Sequence, residues 1–385
     1  MSDRLRILYA SHWYMPYSVG LVNELAKNHD IRLISTNLSL KQLGENWQEM
    51  LKPSVSVRVE NDTKPRTQQS ASYYFSSYRE LIKDFEEFKP NVVHIQETND
   101  PFLMMVFLLF LSRTKLPFVL TVHDPLPHLG DKLKYYKLRR PLLDKLRLKA
   151  DKIITLAEYN KKELLNIYPK LSPAKVSVVL HGVMDYYLRW KKPEYQEQEN
   201  NILFFGRMQE YKGLSVLLKA WEIIKERHAT AKLVMAGSGP DLERYLPELK
   251  KDERVVLINR FIESEEAARL MCEASVVVLP YIEATQSGVL AVSSAFAKPT
   301  ILTTVGGMPE MVTSEESALL IPPNDVDALA EATLLVLNNK TLRDTLAEGA
   351  KKLSLTSLSW GYLATKVVDV YKEVIAENNK DAVKT

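Results

Sequence analysis

Residues 201–224 read NILFFGRMQEYKGLSVLLKAWEII. Ile202 to Phe205 form an apolar run without polar alternation, the pattern of a strand buried on both faces. The run meets Gly206, which lets the backbone turn sharply and approach another group. Beyond Gly213, Leu214, Leu217, Leu218, Trp221 and Ile224 repeat at helical spacing and predict one apolar stripe. The stretch is therefore a strand–turn–helix unit. Arg207 and Lys212 sit in its turn, beside a helix amino end, where an anion is already favoured. A fork donor and a point-charge donor together suit a diphosphate.

The same plan repeats downstream. KLVMA (232–236), VVLI (255–258), VVVL (276–279) and TILTT (300–304) read as further strands, most of them followed by helical patterns. Asp325 is placed to cap the helix starting NDVDALAEATLLVL, so Asp325 and Asp327 read as a cap and a first-turn acid rather than metal ligands. Upstream, RILYA (6–10), IRLIS (31–35), VVHI (92–95), FVLTV (118–122) and KIITL (152–156) alternate with helical stretches such as 19–28 and 78–88. Apolar strands spaced by helices indicate parallel sheets covered on both faces. Residues 1–185 and 201–357 read as two Rossmann-like domains. The unperiodic, mixed-charge stretch 186–200 reads as a linker, and a final helix from about Ser359, within 358–385, is placed to return to the first domain. Ligands of such sheets lie beyond the carboxyl ends of the strands, here in the cleft between the domains.

Composition excludes several classes. With 385 residues, 46% hydrophobic and 26% charged, the chain can bury two cores without covalent staples. Cys272 is the single cysteine, so it forms no internal bridge; it reads as a small core residue and fits a reducing cytoplasm. A net charge of +3 is too weak to imply nucleic acid. The start MSDRLRILYA has no apolar region before a small-residue cleavage site, so no secretory signal is expected. FLMMVFLLFL (102–111) is half of the roughly 20 residues a membrane span needs, and predicts a helix buried against a sheet. Residues 131–152 carry nine Lys or Arg against three Asp, a net of +6, with leucines interspersed. That pattern suits either a core-packed helix with a solvated basic face or contact with an anionic membrane.

Further candidates lie at strand ends. Gly237 and Gly239 follow KLVMA in a Gly-Ser-Gly turn. Glu283 stands in the loop after VVVL, and Ser287, Gly288 and Val289 open the next helix, where free amides suit phosphate or sugar oxygens. Gly306 to Glu310 form a similar loop. His123 closes a first-domain strand and is expected to face the cleft; His12 and Gly20 follow the first strand.

Taken in order, the glycine after the first strand, TVHD, HGV (181–183), FGRMQEYKG, GSG, the Glu283 loop, VGGMPE and IPPND resemble the retaining glycosyltransferases of family 4, which have the GT-B fold. The resemblance covers nearly the whole chain. It implies that Arg207 and Lys212 neutralise a leaving diphosphate, and that Glu283, as the first glutamate of an E-x7-E motif, holds donor-sugar hydroxyls. It further implies that His123 contacts the sugar near the reacting carbon and that Arg260-Phe261-Ile262 lies against the base. Two departures stand out. The second glutamate of the motif falls at Ala291, or at Val292 if Pro299 sets the register, which moves the first to Ala284. The amino-terminal loop also offers Gly20 where the family often has two glycines. The resemblance implies a UDP- or GDP-linked sugar donor and a glycan or lipid-linked acceptor; with Arg207 and Lys212 supplying positive charge, no metal or other cofactor is expected. Two rivals are a nucleotide-sugar 2-epimerase and a catalytically silent nucleotide-sugar-binding subunit.

Overall fold

A computed structural model describes residues 4–60, 62, 69–126 and 136–384. Two all-parallel sheets organise the chain. The first has seven strands in the order β3-β2-β1-β4-β5-β6-β7. These are β1 (Arg6–Ala10), β2 (Asp30–Thr36), β3 (Val55–Glu60), β4 (Val92–Gln96), β5 (Phe118–Val122), β6 (Lys152–Thr155) and β7 (Val176–Val178). The second sheet has six strands in the order β10-β9-β8-β11-β12-β13. These are β8 (Asn201–Phe205), β9 (Lys232–Ala236), β10 (Val255–Ile258), β11 (Val276–Leu279), β12 (Thr300–Thr303) and β13 (Leu319–Ile321). In each sheet the chain winds outward to one edge, then returns past its first strand to build the other half. The switch points fall between β1 and β4 and between β8 and β11, where a parallel sheet opens a crevice for a ligand.

Each sheet is covered on both faces. Ile7 and Tyr9 of β1 enter one core, while Leu8 and Ala10 enter the other. The expected strands form where their apolar runs predict them, and β3, β7 and β13 are additional edge strands. Cys272 is buried, as its reading as a core residue requires. Asp325 Oδ1 accepts from the amide of Ala328 at 2.8 Å and caps the helix Val326–Asn338.

Helix Trp360–Lys384 crosses back to the first domain. Trp360, Leu363, Val367, Tyr371 and Val374 lie in the same core as β1 and helix Met15–Leu25. The Trp360 indole donates to Val183 O at 2.7 Å. A Cβ on Gly20 would stand 2.1 Å from the Trp360 indole nitrogen, and one on Gly182 would stand 2.6 Å from its ring. Gly20 is thus a glycine because a tryptophan lies against it, a different duty from the ligand contact expected of it.

Three other expectations change. Residues 186–200 are not a free linker: Tyr186 packs against the first-domain core and Tyr187 and Tyr195 against the second, with Trp190 touching both. Helix Pro101–Thr114 buries Leu103, Met104, Val106, Phe107, Phe110 and Leu111, but its outer stripe of Phe102, Met105 and Leu109 is 40%, 45% and 58% exposed. The basic stretch 131–152 turns three of its cations, Arg139, Arg147 and Lys152, inward, while Lys145 and Lys149 stay exposed. Residues 131–135, with Lys132 and Lys134, lie outside the described residues, and helix Tyr136–Lys149 puts Leu143 and Leu146 in the core. Arg139 donates to Asn99, Arg147 grips Glu97 at 2.7 and 2.8 Å, and Lys152 bonds Glu373 at 2.9 Å. Sequence counts of charge therefore overstate the basic surface. Among the described residues, no helix is long and apolar enough to cross a membrane.

Candidate functional site

Three loops meet at the carboxyl ends of β8, β9 and β11. Gly206 ends β8 with φ of 111°, a conformation side chains resist. A Cβ on Gly237 would approach Gly206 O to 1.8 Å, and one on Gly239 would approach Met208 O to 2.1 Å. Gly213, at φ of 73°, would strike Pro280 O at 1.8 Å. These glycines let the loops touch backbone to backbone, which aims Arg207, Lys212 and Glu283 into one region.

Lys212 is buried. Its ammonium donates to the Tyr281 hydroxyl and lies 3.9 Å from the Tyr281 ring centroid. Ser287 Oγ donates to the same hydroxyl at 3.3 Å and accepts from the amide of Leu290, capping helix Gly288–Ala295. Gly288 and Val289 head that helix, where first-turn amides have no intrahelical acceptor. Arg207 is exposed and donates to the Tyr211 hydroxyl at 3.2 Å. Burial, and then the nearby Arg207 charge, push the Lys212 pKa down to about 7.

A pH-dependent binding signature follows. In the free protein Lys212 loses its proton as pH rises through about 7. An arriving diphosphate favours the charged form and raises that pKa. Binding should therefore take up roughly half a proton at pH 7 and nearly one at pH 8, with affinity falling as pH rises above 7. Calorimetry of nucleoside diphosphate binding in buffers of different protonation enthalpy measures this. Zero uptake at pH 8, or equal uptake by Lys212→Met, would remove Lys212 from the site.

Glu283 sits in the loop after β11, held by the amide of Ile282 donating to Tyr211 O at 2.8 Å. Its charge reaches across to Tyr159 of the first domain, whose hydroxyl pKa is raised by burial, then by Glu163 and Glu283. Ala284 is buried, which leaves Glu283 as the carboxylate of this loop. The second glutamate position is closed in either register. Ala291 and Val292 are both core residues, and Ala291 O accepts from the Met184 amide at 3.2 Å.

His123 follows β5 directly but does not lie open to the cleft. It is 1% exposed, and the Tyr14 ring stacks flat upon it, with centroids 3.5 Å apart and planes 10° from parallel. Gln96 explains its protonation. The Gln96 amide donates to Tyr9 Oη at 2.7 Å, so its carbonyl meets His123 Nε2 at 2.7 Å. His123 thus carries its proton on Nε2, and Nδ1 is buried with no hydrogen-bond partner among the described residues. Burial lowers its pKa to about 3, so the ring is neutral at pH 7.

Arg260, Phe261 and Ile262 divide. The Arg260 guanidinium is held by Glu266 at 2.6 and 2.9 Å, Ile262 is buried, and Phe261 is 74% exposed beyond the end of β10. Of the three, only Phe261 presents a ring to solvent, a face on which a planar group could stack. Among the described residues, side-chain hydrogen bonds that cross the cleft include Thr285 Oγ1 donating to Asp124 Oδ1, and Glu310 accepting from the amides of Glu158 and Tyr159. Sequence reasoning placed Glu310 in a candidate loop without its partner and missed Tyr14, Gln96 and Tyr281 as parts of this region, because each acts through a partner distant in the chain. Among the described residues, no three His, Cys, Asp or Glu side chains are grouped to hold a metal ion.

Comparison with known proteins places the chain among the glycosyltransferases. Residues 17–185 match the family model described as Glycosyltransferase Family 4, and residues 199–339 match the model described as Glycosyl transferases group 1. A glycosyltransferase of Methanocaldococcus jannaschii is 31% identical over 235 residues, 57% of this chain and 59% of that protein. The D-inositol 3-phosphate glycosyltransferase of Nocardioides sp. is 28% identical over 252 residues, 59% of this chain and 55% of that protein. The chain thus spans less than two thirds of the length of these relatives. Among solved structures, Anabaena HepE in complex with UDP and glucose superposes with a TM-score of 0.72 at 13% identity, covering 96% of this chain and 100% of that one. A glycosyltransferase from Rickettsia africae gives 0.70 at 17% identity, covering 97% and 99%. At these identities the solved structures establish the fold, which is GT-B.

Proposed function

Because the chain belongs to the family 4 glycosyltransferases, we propose that it moves a sugar from a UDP- or GDP-linked donor to a glycan or lipid-linked acceptor, with retention at the anomeric carbon. The observation that carries this reading is the buried Lys212 beside Arg207 at the switch point of the second sheet. Positive charge held in place before the ligand arrives stabilises a leaving diphosphate without reorganisation. The donor ionises at the carboxyl ends of β8 and β11, and the leaving phosphate takes the acceptor proton. Glu283 holds sugar hydroxyls, and His123, neutral and bare at Nδ1, accepts a hydrogen bond from the sugar once Tyr14 moves aside. Arg207 and Lys212 supply the charge a divalent cation would otherwise bring, so turnover is metal-independent. A lipid-linked acceptor is favoured by the apolar stripe Phe102–Met105–Leu109, which begins at the cleft end of its helix. On this reading the protein works at the cytoplasmic face of a membrane, in polysaccharide or glycolipid synthesis.

A second reading, a silent nucleotide-sugar-binding subunit, is favoured by the core burial of Ala291 where a carboxylate is expected. One experiment separates the two. UDP-, GDP- and ADP-sugars are screened for thermal stabilisation, about 2.7 kcal/mol at 100 times the dissociation constant. The stabilising donor is then incubated in EDTA with glycan acceptors and with anionic vesicles carrying lipid-linked acceptors. We expect nucleotide release and a product of unchanged anomeric configuration. Tight binding without turnover on any acceptor would leave the silent subunit. Epimerised donor without acceptor would indicate the 2-epimerase, and activity restored only by magnesium would end the metal-free mechanism.

A further inference from the structure

Helix Glu158–Ile167 follows β6 directly, and its N-cap is Ala157, which has no side-chain acceptor to offer. Helices leave their first amides unsatisfied, and alanine is among the poorest caps. Here the cap comes from the other domain. The amides of Glu158 and Tyr159 donate to the two carboxylate oxygens of Glu310, at 2.6 and 2.8 Å. Glu310 lies in the turn Met308–Met311 after β12. A carboxylate on a helix amino terminus combines charge-assisted hydrogen bonds with the favourable end of the helix dipole.

The surrounding loop is shaped for this approach. Gly306 has φ of 54°, and a Cβ on it would meet Ala284 O at 1.5 Å. A Cβ on Gly307 would stand 2.4 Å from the Ala157 methyl. The Thr285–Asp124 hydrogen bond joins the domains through the adjoining loop. Together these contacts bring the loops after β11 and β12 against the ends of β5 and β6. That arrangement sets Glu283 near Tyr159, and Thr285 against the residue after His123.

We propose that Glu310 is a positioning residue that holds the closed arrangement of the two domains by capping a first-domain helix from across the cleft. It touches no reacting atom. Closure places the Glu283 loop against Asp124, and opening leaves Glu158 and Tyr159 amides to water. The consequence for turnover rests on the glycosyltransferase reading; the consequence for domain position does not.

The test uses the full chain with Cys272→Ala, and with spin labels on Lys83→Cys in the first domain and Lys340→Cys in the second, both exposed. Electron–electron resonance gives the distribution of distances between them. We expect Glu310→Ala and Glu310→Gln to lower the ratio of closed to open molecules by about tenfold. Turnover at saturating donor should fall by about the same factor, with affinity for free nucleoside diphosphate changed by less than about threefold. Glu310→Asp keeps the charge on a shorter arm and should recover part of both effects. Thermal melting checks that the variants remain folded. Unchanged distance distributions in Glu310→Ala and Glu310→Gln would overturn the proposal. So would opening by Thr285→Val alone with Glu310→Ala still closed. A shifted distribution in a protein that transfers no sugar would uphold the clasp and count against the catalytic reading instead.

Discussion

Arg207→Ala and Lys212→Ala are each expected to lower turnover by about 100-fold or more while the protein stays folded. The magnitude is that of removing one preorganised charge from a developing anion in a site that excludes water. The two residues fail for different reasons. Arg207 is exposed and, among the described residues, its side chain hydrogen-bonds to the Tyr211 hydroxyl, so its loss leaves the loop in place. Lys212 is buried, and its removal relieves the burial of a charge while the Tyr281 hydroxyl keeps Ser287. Neither substitution should therefore shift the unfolding midpoint enough to account for the loss in rate. Steady-state kinetics with saturating donor, alongside thermal melts, measures both quantities. Near-normal turnover in both variants would mean that the leaving group is stabilised elsewhere.

Trp360→Ala is expected to cost about 3–5 kcal/mol of stability, the range for truncating a large buried aromatic side chain. The indole is 5% exposed. It packs edge-on to Tyr17, with centroids 5.1 Å apart, and fills the spaces left by Gly20 and Gly182. Its loss also strips Val183 O of its donor. Gly20→Ala is a complementary probe, because the new methyl would stand 2.1 Å from the indole nitrogen unless Trp360 moved. Urea unfolding followed by circular dichroism reads both variants through the shift in midpoint. A loss below about 1 kcal/mol for Trp360→Ala would show that this joint is not a point of cohesion.

How much of this was readable beforehand depends on where the information lies. RILYA, VVVL and FVLTV announce strands because both faces of each sheet are covered, so no polar alternation interrupts them. VSVRVE (55–60) alternates because β3 is an edge strand with Ser56 exposed, and the same criterion passes over it. β7 and β13 have three residues each, too few to show a period. In the site, Arg207, Lys212 and Glu283 were legible because strand ends and glycines mark where a parallel sheet presents its loops. Their partners were not. Lys212 owes its burial to Tyr281, His123 its tautomer to Gln96, and helix 158–167 its cap to Glu310. Each pairing joins segments on different strands, and one sequence carries no signal that couples them. Composition misled where it was averaged: DYYLRWKKPEYQEQENN (185–201) counts as polar, yet its aromatic rings are what anchor it.

The return of helix Trp360–Lys384 to the first domain imposes an order on biosynthesis. Leu363, Val367, Tyr371 and Val374 belong to the core that β1 and β2 begin, yet they follow the entire second sheet in the chain. A ribosome delivers the amino-terminal domain first. That domain emerges with a bare apolar face over Ile7, Tyr9, Leu21 and Leu33, and it keeps that face through the synthesis of residues 201–357. The second domain, by contrast, has most of its own core as soon as it leaves the exit tunnel. The half made first is therefore finished last, and its unfinished surface is what a nascent-chain chaperone would meet.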